Sequence, residues 1–320
     1  MIDLEFQLDT KKHLANLFKA RFPYVYLSTW EEDRALAMIE EIAADEALIK
    51  TPRKVIPWKI TTGFTGAQTS KDTKSAMNAL NFIERYDEPA IFVLLDFHIF
   101  LGDEGRLPDP QIIRKLRDVS KNLKQSIKPK NVVFISPVLR LPHDLEKDIT
   151  IVDFDLPNFH EIKESLDAMI EVNKQGGRIE INLTEEEKEK LVKAALGLTL
   201  QEAENAFARA MVENGRLSID DVEVILAEKE QIIKKTGILE FVRTNLRMED
   251  VGGLENLKRW LKKRNKSWLE SARKYRLPAP KGVLITGVPG CGKSLISKAI
   301  SEMWQLPLLR LDIGKIYSGI

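Results

Sequence analysis

Eight consecutive residues, Gly287-Val288-Pro289-Gly290-Cys291-Gly292-Lys293-Ser294, combine the residue types needed to hold a polyphosphate. A glycine, four residues and then Gly-Lys-Ser is the spacing in which a backbone curls its N–H groups around phosphate oxygens without side-chain clashes. Gly287, Gly290 and Gly292 give the loop its room, and Val288, Pro289 and Cys291 fill the positions between them. Lys293 offers a point charge to β- and γ-phosphate oxygens, and the Ser294 hydroxyl is suited to ligate Mg²⁺. Leu295 opens an apolar helical pattern, so the loop should run into a helix whose N-terminus adds its positive dipole end. The chemistry predicted is binding of ATP with Mg²⁺.

Such a loop works only if a strand delivers it and a helix receives it. Gly282-Val283-Leu284-Ile285-Thr286 reads as that strand, Leu295 to Met303 as the helix and Leu306 to Leu311 as a second strand. A helix mixing Leu, Trp and basic residues is expected from Leu254 to about Tyr275, broken by Pro278-Ala279-Pro280, after a connector from Lys234 to Asn245. Further upstream, short apolar runs alternate with helical spacing. Tyr24-Val25-Tyr26-Leu27, Val55-Ile56-Pro57-Trp58, Ile91 to Leu95, Val132 to Ile135 and Ile149 to Val152 read as strands. Glu31 to Ile42, Ser75 to Ile83 and Pro110 to Ile127 read as helices between them. That alternation implies βαβ units and a parallel sheet. After Pro157 the pattern is all-helical: Phe159 to Val172, then starts signalled by Thr184/Glu187 and Thr199/Glu202 at capping-box spacing, and a further helix that Ser218 and Asp221 begin. Three segments are expected: an α/β domain over 1–157, a helical lid over 158–237 and a phosphate-loop module over 238–320.

The 320 residues balance 49 Lys and Arg against 48 Asp and Glu, a net charge of +1. This argues against a surface built for nucleic acid or an anionic membrane, which would show a basic excess. The single cysteine, Cys291, excludes an internal disulfide and a cysteine-built metal site and points to a reducing compartment. The start, Met1-Ile2-Asp3-Leu4-Glu5, has acids where a signal peptide carries basic residues. Ala90 to Leu101 is too short to span a bilayer. His13, His98, His143 and His160 show no metal-ligand spacing.

Glu249-Asp250-Val251-Gly252-Gly253-Leu254-Glu255-Asn256-Leu257-Lys258, about thirty residues ahead of the phosphate loop, resembles the opening segment of AAA ATPases. The loop spelling, the connector Ile232 to Glu240 and the stretch Leu306 to Gly314 are similar to one subgroup, the hypothetical chloroplast reading frame forty-six family of cyanobacteria and plastids. The resemblance implies a parallel-sheet P-loop NTPase fold and assigns Val251 and Gly252 to the adenine. It implies an ATP hydrolase that, when complete, assembles as a homo-oligomeric ring and remodels a macromolecular partner, with neither membrane nor nucleic acid as partner. The implied location is the cytoplasm, or the plastid stroma in an alga. The alternative is a non-catalytic scaffold whose partner contacts respond to nucleotide.

Such a module also needs a strand ending in Asp-Glu, a polar sensor and a donated arginine. Only 26 residues follow Ser294. The chain is therefore expected to be the first three-fifths of such a protein, binding ATP without turning it over, with no catalytic residue visible. The first domain resembles a degenerate copy. Its turn Ser28-Thr29-Trp30-Glu31-Glu32 has no glycine or lysine, and its two acids would repel triphosphate. Asp96 follows Leu94-Leu95 like a metal-binding strand end, but Phe97 stands where the activating glutamate belongs, so Asp96 reads as a retained sheet-edge residue. Ser136 sits in the sensor position. Lys258, Arg259, Lys262, Lys263, Arg264 and Lys266, with Trp260 and Trp268, read as a solvated helix face in preference to a nucleic-acid surface. Tyr317 is a weak match to a pore aromatic.

Overall fold

The computed structural model describes residues 10–65, 73–103, 105–176, 179–235, 239–242, 246–264, 282–304, 308–311 and 314. They fall into two compact units: one ends at Met169 and takes in Leu196–Asn205, and the other comprises Ile170–Ala195 and the chain from Ala206 onward.

The first unit opens with α1 (Thr10–Lys19), β1 (Tyr24–Ser28) and α2 (Glu32–Ala44). β2 (Lys54–Lys59), β3 (Gly63–Phe64), α3 (Ala76–Arg85), β4 (Ala90–Leu95), α4 (Pro110–Gln125), β5 (Lys130–Ser136) and β6 (Ile149–Asp153) follow. The strands form one six-stranded sheet in the order β3-β2-β4-β5-β1-β6. All neighbours are parallel except the β2–β3 hairpin, where Trp58 lies opposite Phe64. β1 is paired on both edges, with Tyr24 opposite Val132 of β5 and Ile149 of the edge strand β6.

The strand runs are continuous in apolar residues because both faces are covered, as parallel sheets require. One face carries Tyr24, Tyr26, Trp58, Phe92, Leu94 and Phe134 against α3 and α4. The other carries Val25, Leu27, Ile91, Val93, Val133 and Ile135 against α1 and α2. Two buried polar groups close the framework. Tyr24 donates its hydroxyl to Leu116 O at 2.6 Å, and burial, with Asp148 behind it, raises its pKa well above the ordinary value. Lys130 Nζ donates to the carbonyls of Ile83, Glu84 and Tyr86, capping the end of α3.

The helical stretch begins with α5 (Phe159–Gly176), then β7 (Glu180–Ile181), α6 (Glu185–Ala195), α7 (Leu200–Asn214), β8 (Arg216–Leu217) and α8 (Val222–Lys235). Both expected capping boxes form, and the helix start at Ser218 and Asp221 makes a third. Thr184 N donates to Glu187 Oε2 at 2.8 Å, Thr199 N to Glu202 Oε2 at 2.9 Å and Ser218 N to Asp221 Oδ2 at 2.7 Å. In the second unit, β7 pairs with β8 and α6 lies against α8. β9 (Leu239–Val242), α9 (Glu255–Arg264), α10 (Lys293–Trp304) and β10 (Leu308–Leu311) complete it.

Two expectations for the last segment are corrected. Among the described residues, Gly282 to Thr286 pairs with no strand, and Leu284 is 90% exposed. A central parallel strand needs neighbours on both edges, and the described residues place none beside it. β10 does form, but its partner is the connector strand β9, antiparallel, with Leu309 opposite Phe241. The rest of the predicted long helix after Arg264, with Lys266, Trp268 and Pro278 to Pro280, lies outside the described residues, as does Tyr317.

Candidate functional site

The phosphate-loop residues lie at the start of α10, where Ile296 N makes the first helical bond to Gly292 O at 3.0 Å. Gly292 is thus the N-cap. The amides of Gly292, Lys293, Ser294 and Leu295 are the N–H groups that a helix start leaves without intrahelical partners. Gly290 (φ +81°) and Gly292 (φ +85°) hold left-handed conformations that side-chain-bearing residues rarely adopt. Between them the chain turns through a Cys291 N to Val288 O bond of 3.4 Å. Gly287 is needed for a different reason. A methyl group there would lie 2.6 Å from Cys291 Sγ, well inside contact distance.

Lys293 is half-buried and folds back over the loop. Its ammonium donates to Gly287 O at 2.9 Å and Val288 O at 2.8 Å, with Cys291 Sγ 3.8 Å away. The positive group is therefore held at the loop by neutral acceptors, which a phosphate oxygen can outcompete because it brings an opposite charge to the bond. Ser294 is exposed at the second helical position. Val288, Pro289 and Leu295 are exposed beside it.

The resemblance-based candidates Val251 and Gly252 reach the same neighbourhood. Val251 is buried with Met248, Leu261, Ile296 and Ala299, so its side chain packs against the helix that carries the loop. Its carbonyl accepts from Lys258 Nζ at 2.5 Å. Gly252 is exposed. The donors fit an anion: glycine-shaped backbone, open helix-start amides and one ammonium. They also fit Mg²⁺ in its usual protein-poor manner, with Ser294 as one ligand and the others from phosphate and water. Among the described residues no group of three or more His, Cys, Asp or Glu could hold a metal by itself.

The corresponding turn of the first unit is built differently. Thr29 N donates to Ser136 O at 2.9 Å, and Glu31 N to Thr29 Oγ1 at 3.1 Å. The Glu31 carboxylate lies buried in the turn, paired to Arg34 at 2.6 Å. Beside it, burial raises the Glu32 pKa, and the Asp96 charge adds to the rise. Asp96 itself adopts φ +55° at the end of β4. Phe97 is fully buried, with ring centroids 5.6 Å from Trp58, 5.1 Å from Phe100 and 5.6 Å from Phe134. Ser136 is fully buried. Glu32 and Asp96 thus share this end of the sheet, with Lys59 partly offsetting the charge on Glu32.

α9 carries its basic residues outward. Arg259, Lys262, Lys263 and Arg264 are exposed, and the Arg264 guanidinium lies 3.9 Å from the Trp260 ring centroid. Sequence reasoning did not single out Arg34: its pairing with Glu31 is a local i,i+3 contact, but its partners Phe154, Asp155 and Glu161 come from a distant segment that no local pattern signals. No described helix is long and apolar enough to cross a membrane.

Residues 10–154 match the family model described as SpoVK-like AAA ATPase, N-terminal domain, and residues 160–236 match SpoVK-like AAA ATPase, second domain. The chain is similar to three proteins named "Uncharacterized AAA domain-containing protein ycf46". That of Trieres chinensis is 36% identical over 310 residues, covering 95% of this chain and 58% of the relative. The Guillardia theta protein is 35% identical over 308 residues, covering 95% and 57%. The Pyropia yezoensis protein is 32% identical over 308 residues, covering 95% and 59%. The chain thus spans about three-fifths of the length of the curated relatives it matches.

Proposed function

The chain belongs to the AAA ATPases, and from that premise we propose that it binds Mg-ATP through Gly287 to Leu295 and contributes this site to ATP hydrolysis. One observation carries the reading. The half-buried Lys293 is held over a loop whose helix-start amides and left-handed glycines form a cradle for an anion. Gly290 and Gly292 let the backbone approach the β-phosphate, and the amides of Gly292 to Leu295 donate to its oxygens. Lys293 exchanges two carbonyl acceptors for the β- and γ-oxygens and offsets their charge. Ser294 orients the metal, which when bound neutralises charge on the γ-phosphoryl group. Val251 and Gly252 are assigned to the adenine, Val251 through its backbone because its side chain is core.

The division into 1–157, 158–237 and 238–320 is retained as the functional partition. The first segment is a domain without nucleotide, and the last carries the working loop. Remodelling of a macromolecular partner by a ring of copies, in the cytoplasm or plastid stroma, is the proposed setting. Calorimetric titration with Mg-ATP tests the site. One equivalent should bind per chain, and Lys293→Ala should weaken it about a hundredfold. Two equivalents, or binding indifferent to Lys293, would overturn the assignment.

A further inference from the structure

We propose that the Glu31–Arg34 pair is a built-in latch: Glu31 presents a resident carboxylate to the start of α7 and holds residues 196–205 onto the α/β unit without any nucleotide.

Glu31 is the N-cap residue of α2, yet its carboxylate makes no capping bond to its own helix. It turns instead to α7, where Oε1 accepts from Leu200 N at 2.7 Å, 169 residues away in sequence. Its other oxygen pairs with Arg34 Nη2 at 2.6 Å. The two side chains are 5% and 12% exposed, so water scarcely competes for the pair. At the start of α7, Thr199 N donates to Glu202 Oε2 and Glu202 N to Thr199 Oγ1, so the capping box satisfies two of the helix-start amides. Leu200 N is not served by that box. Glu31 supplies its acceptor, and a negative charge at a helix N-terminus is favoured by the dipole.

Arg34 ties the same carboxylate to a third element. Nη1 donates to Glu161 Oε1 at 3.1 Å, Nη2 also donates to Asp155 O, and the guanidinium lies 4.3 Å from the Phe154 ring centroid. Glu161 is itself the acceptor for Asn158 N at 2.8 Å, at the start of α5. One half-buried arginine and one buried carboxylate thus join the starts of α2, α5 and α7 and the segment after β6. The carboxylate sits in the turn that follows β1 and gives the α7 start the anionic partner that a free phosphate could otherwise provide. The latch is independent of the phosphate-loop reading, and its closure should not respond to ATP.

Hydrogen exchange of the full chain, resolved to single amides, tests it. In Glu31→Gln the Leu200 amide should exchange up to about tenfold faster, because the amide oxygen can still accept from Leu200 N but without the charge that strengthens the bond and favours the helix start. Amides of β4 and β5 should keep their protection. The double variant Glu31→Gln/Arg34→Met leaves no buried unpaired charge. It should recover overall stability while Leu200 stays fast. Saturating Mg-ATP added to the unaltered chain should change Leu200 exchange less than about twofold. The proposal is overturned if Leu200 keeps its protection in Glu31→Gln or regains it in the double variant. It is likewise overturned if protection is lost evenly across the sheet, if neither variant folds, or if ATP opens the segment.

Discussion

After β1 the chain enters α2 through Ser28-Thr29-Trp30-Glu31, and before α10 it enters through Gly287 to Gly292. The first turn is closed on itself: Thr29 and Ser136 share its backbone bonds, and Glu31 fills it with a charge that Arg34 neutralises. The second turn is open: two left-handed glycines, helix-start amides without helical acceptors, and a lysine resting on its own carbonyls. The stability of the surroundings runs the other way. β1 is fully buried in a six-stranded sheet, whereas Leu284 and Val288 around the open loop are 90% and 72% exposed. The contrast teaches that a strand-to-helix turn can be spent on holding its own domain or kept available for a ligand. In this chain each turn does one of the two.

The comparison breaks most visibly if the closed turn can be reopened. Phe97 stands at the place that the family resemblance gives to a water-activating glutamate. It lies in a ring cluster with Trp58, Phe100 and Phe134. Phe97→Glu should cost about 3–5 kcal/mol in urea unfolding, because it would bury a carboxylate among aromatic rings. A folded variant that gained nucleotide binding in the first unit would refute the view that this side of the molecule is committed to packing.

Next in size is the paired substitution of the two turns. Lys293→Ala should weaken Mg-ATP binding about a hundredfold, near 2.7 kcal/mol, by removing the charge that meets the phosphates. Unfolding should be almost unaffected, since the lysine's partners are carbonyls of an exposed loop. Thr29→Ala should do the reverse, leaving ATP binding intact and loosening the turn that Glu31 N closes on Thr29 Oγ1. A fall in ATP affinity with Thr29→Ala would mean that the first unit takes part in nucleotide binding.

Gly287→Ala sharpens the account of the open loop. The added methyl would sit 2.6 Å from Cys291 Sγ, so the sulfur or the loop must move, and affinity should fall about tenfold. Gly287→Ala/Cys291→Ala removes the obstructing sulfur and should recover most of that loss. If the double variant binds no better, the glycine is required for backbone approach to phosphate and not for clearance of the thiol.

Much of this was legible in the residues. The continuous apolar runs at β1, β4 and β5 announced a doubly covered sheet because each strand is short and buried on both faces. The capping boxes at Thr184 and Thr199 announced helix starts because the signal is local. What was not legible depends on partners far away. Nothing in Leu239 to Val242 indicates pairing with β10. β3 is two residues long and carries no period. Arg34 looked like an ordinary helix cation, although Asp155, Glu161 and Glu31 converge on it. For the site, the loop was plain from its spacing, but the posture of Lys293 and the clearance of Gly287 against Cys291 are properties of the folded backbone.

The smallest effect expected uses the sole thiol. Cys291 is exposed, with Sγ 3.8 Å from Lys293 Nζ and directly beneath Gly287, so any ligand in the loop must pass close to it. Bound triphosphate would draw Lys293 toward its oxygens, place negative charge near the sulfur and cover its approach. All three changes slow attack on a thiol reagent. Alkylation of Cys291, followed by mass spectrometry, should therefore slow several-fold with saturating Mg-ATP, and much less with AMP, whose single phosphate does not reach both Lys293 and the helix start. The first unit contains no thiol to confuse the reading. Labelling that is rapid and indifferent to ATP would show that the open loop is merely open, and the contrast between the two turns would reduce to a difference in packing.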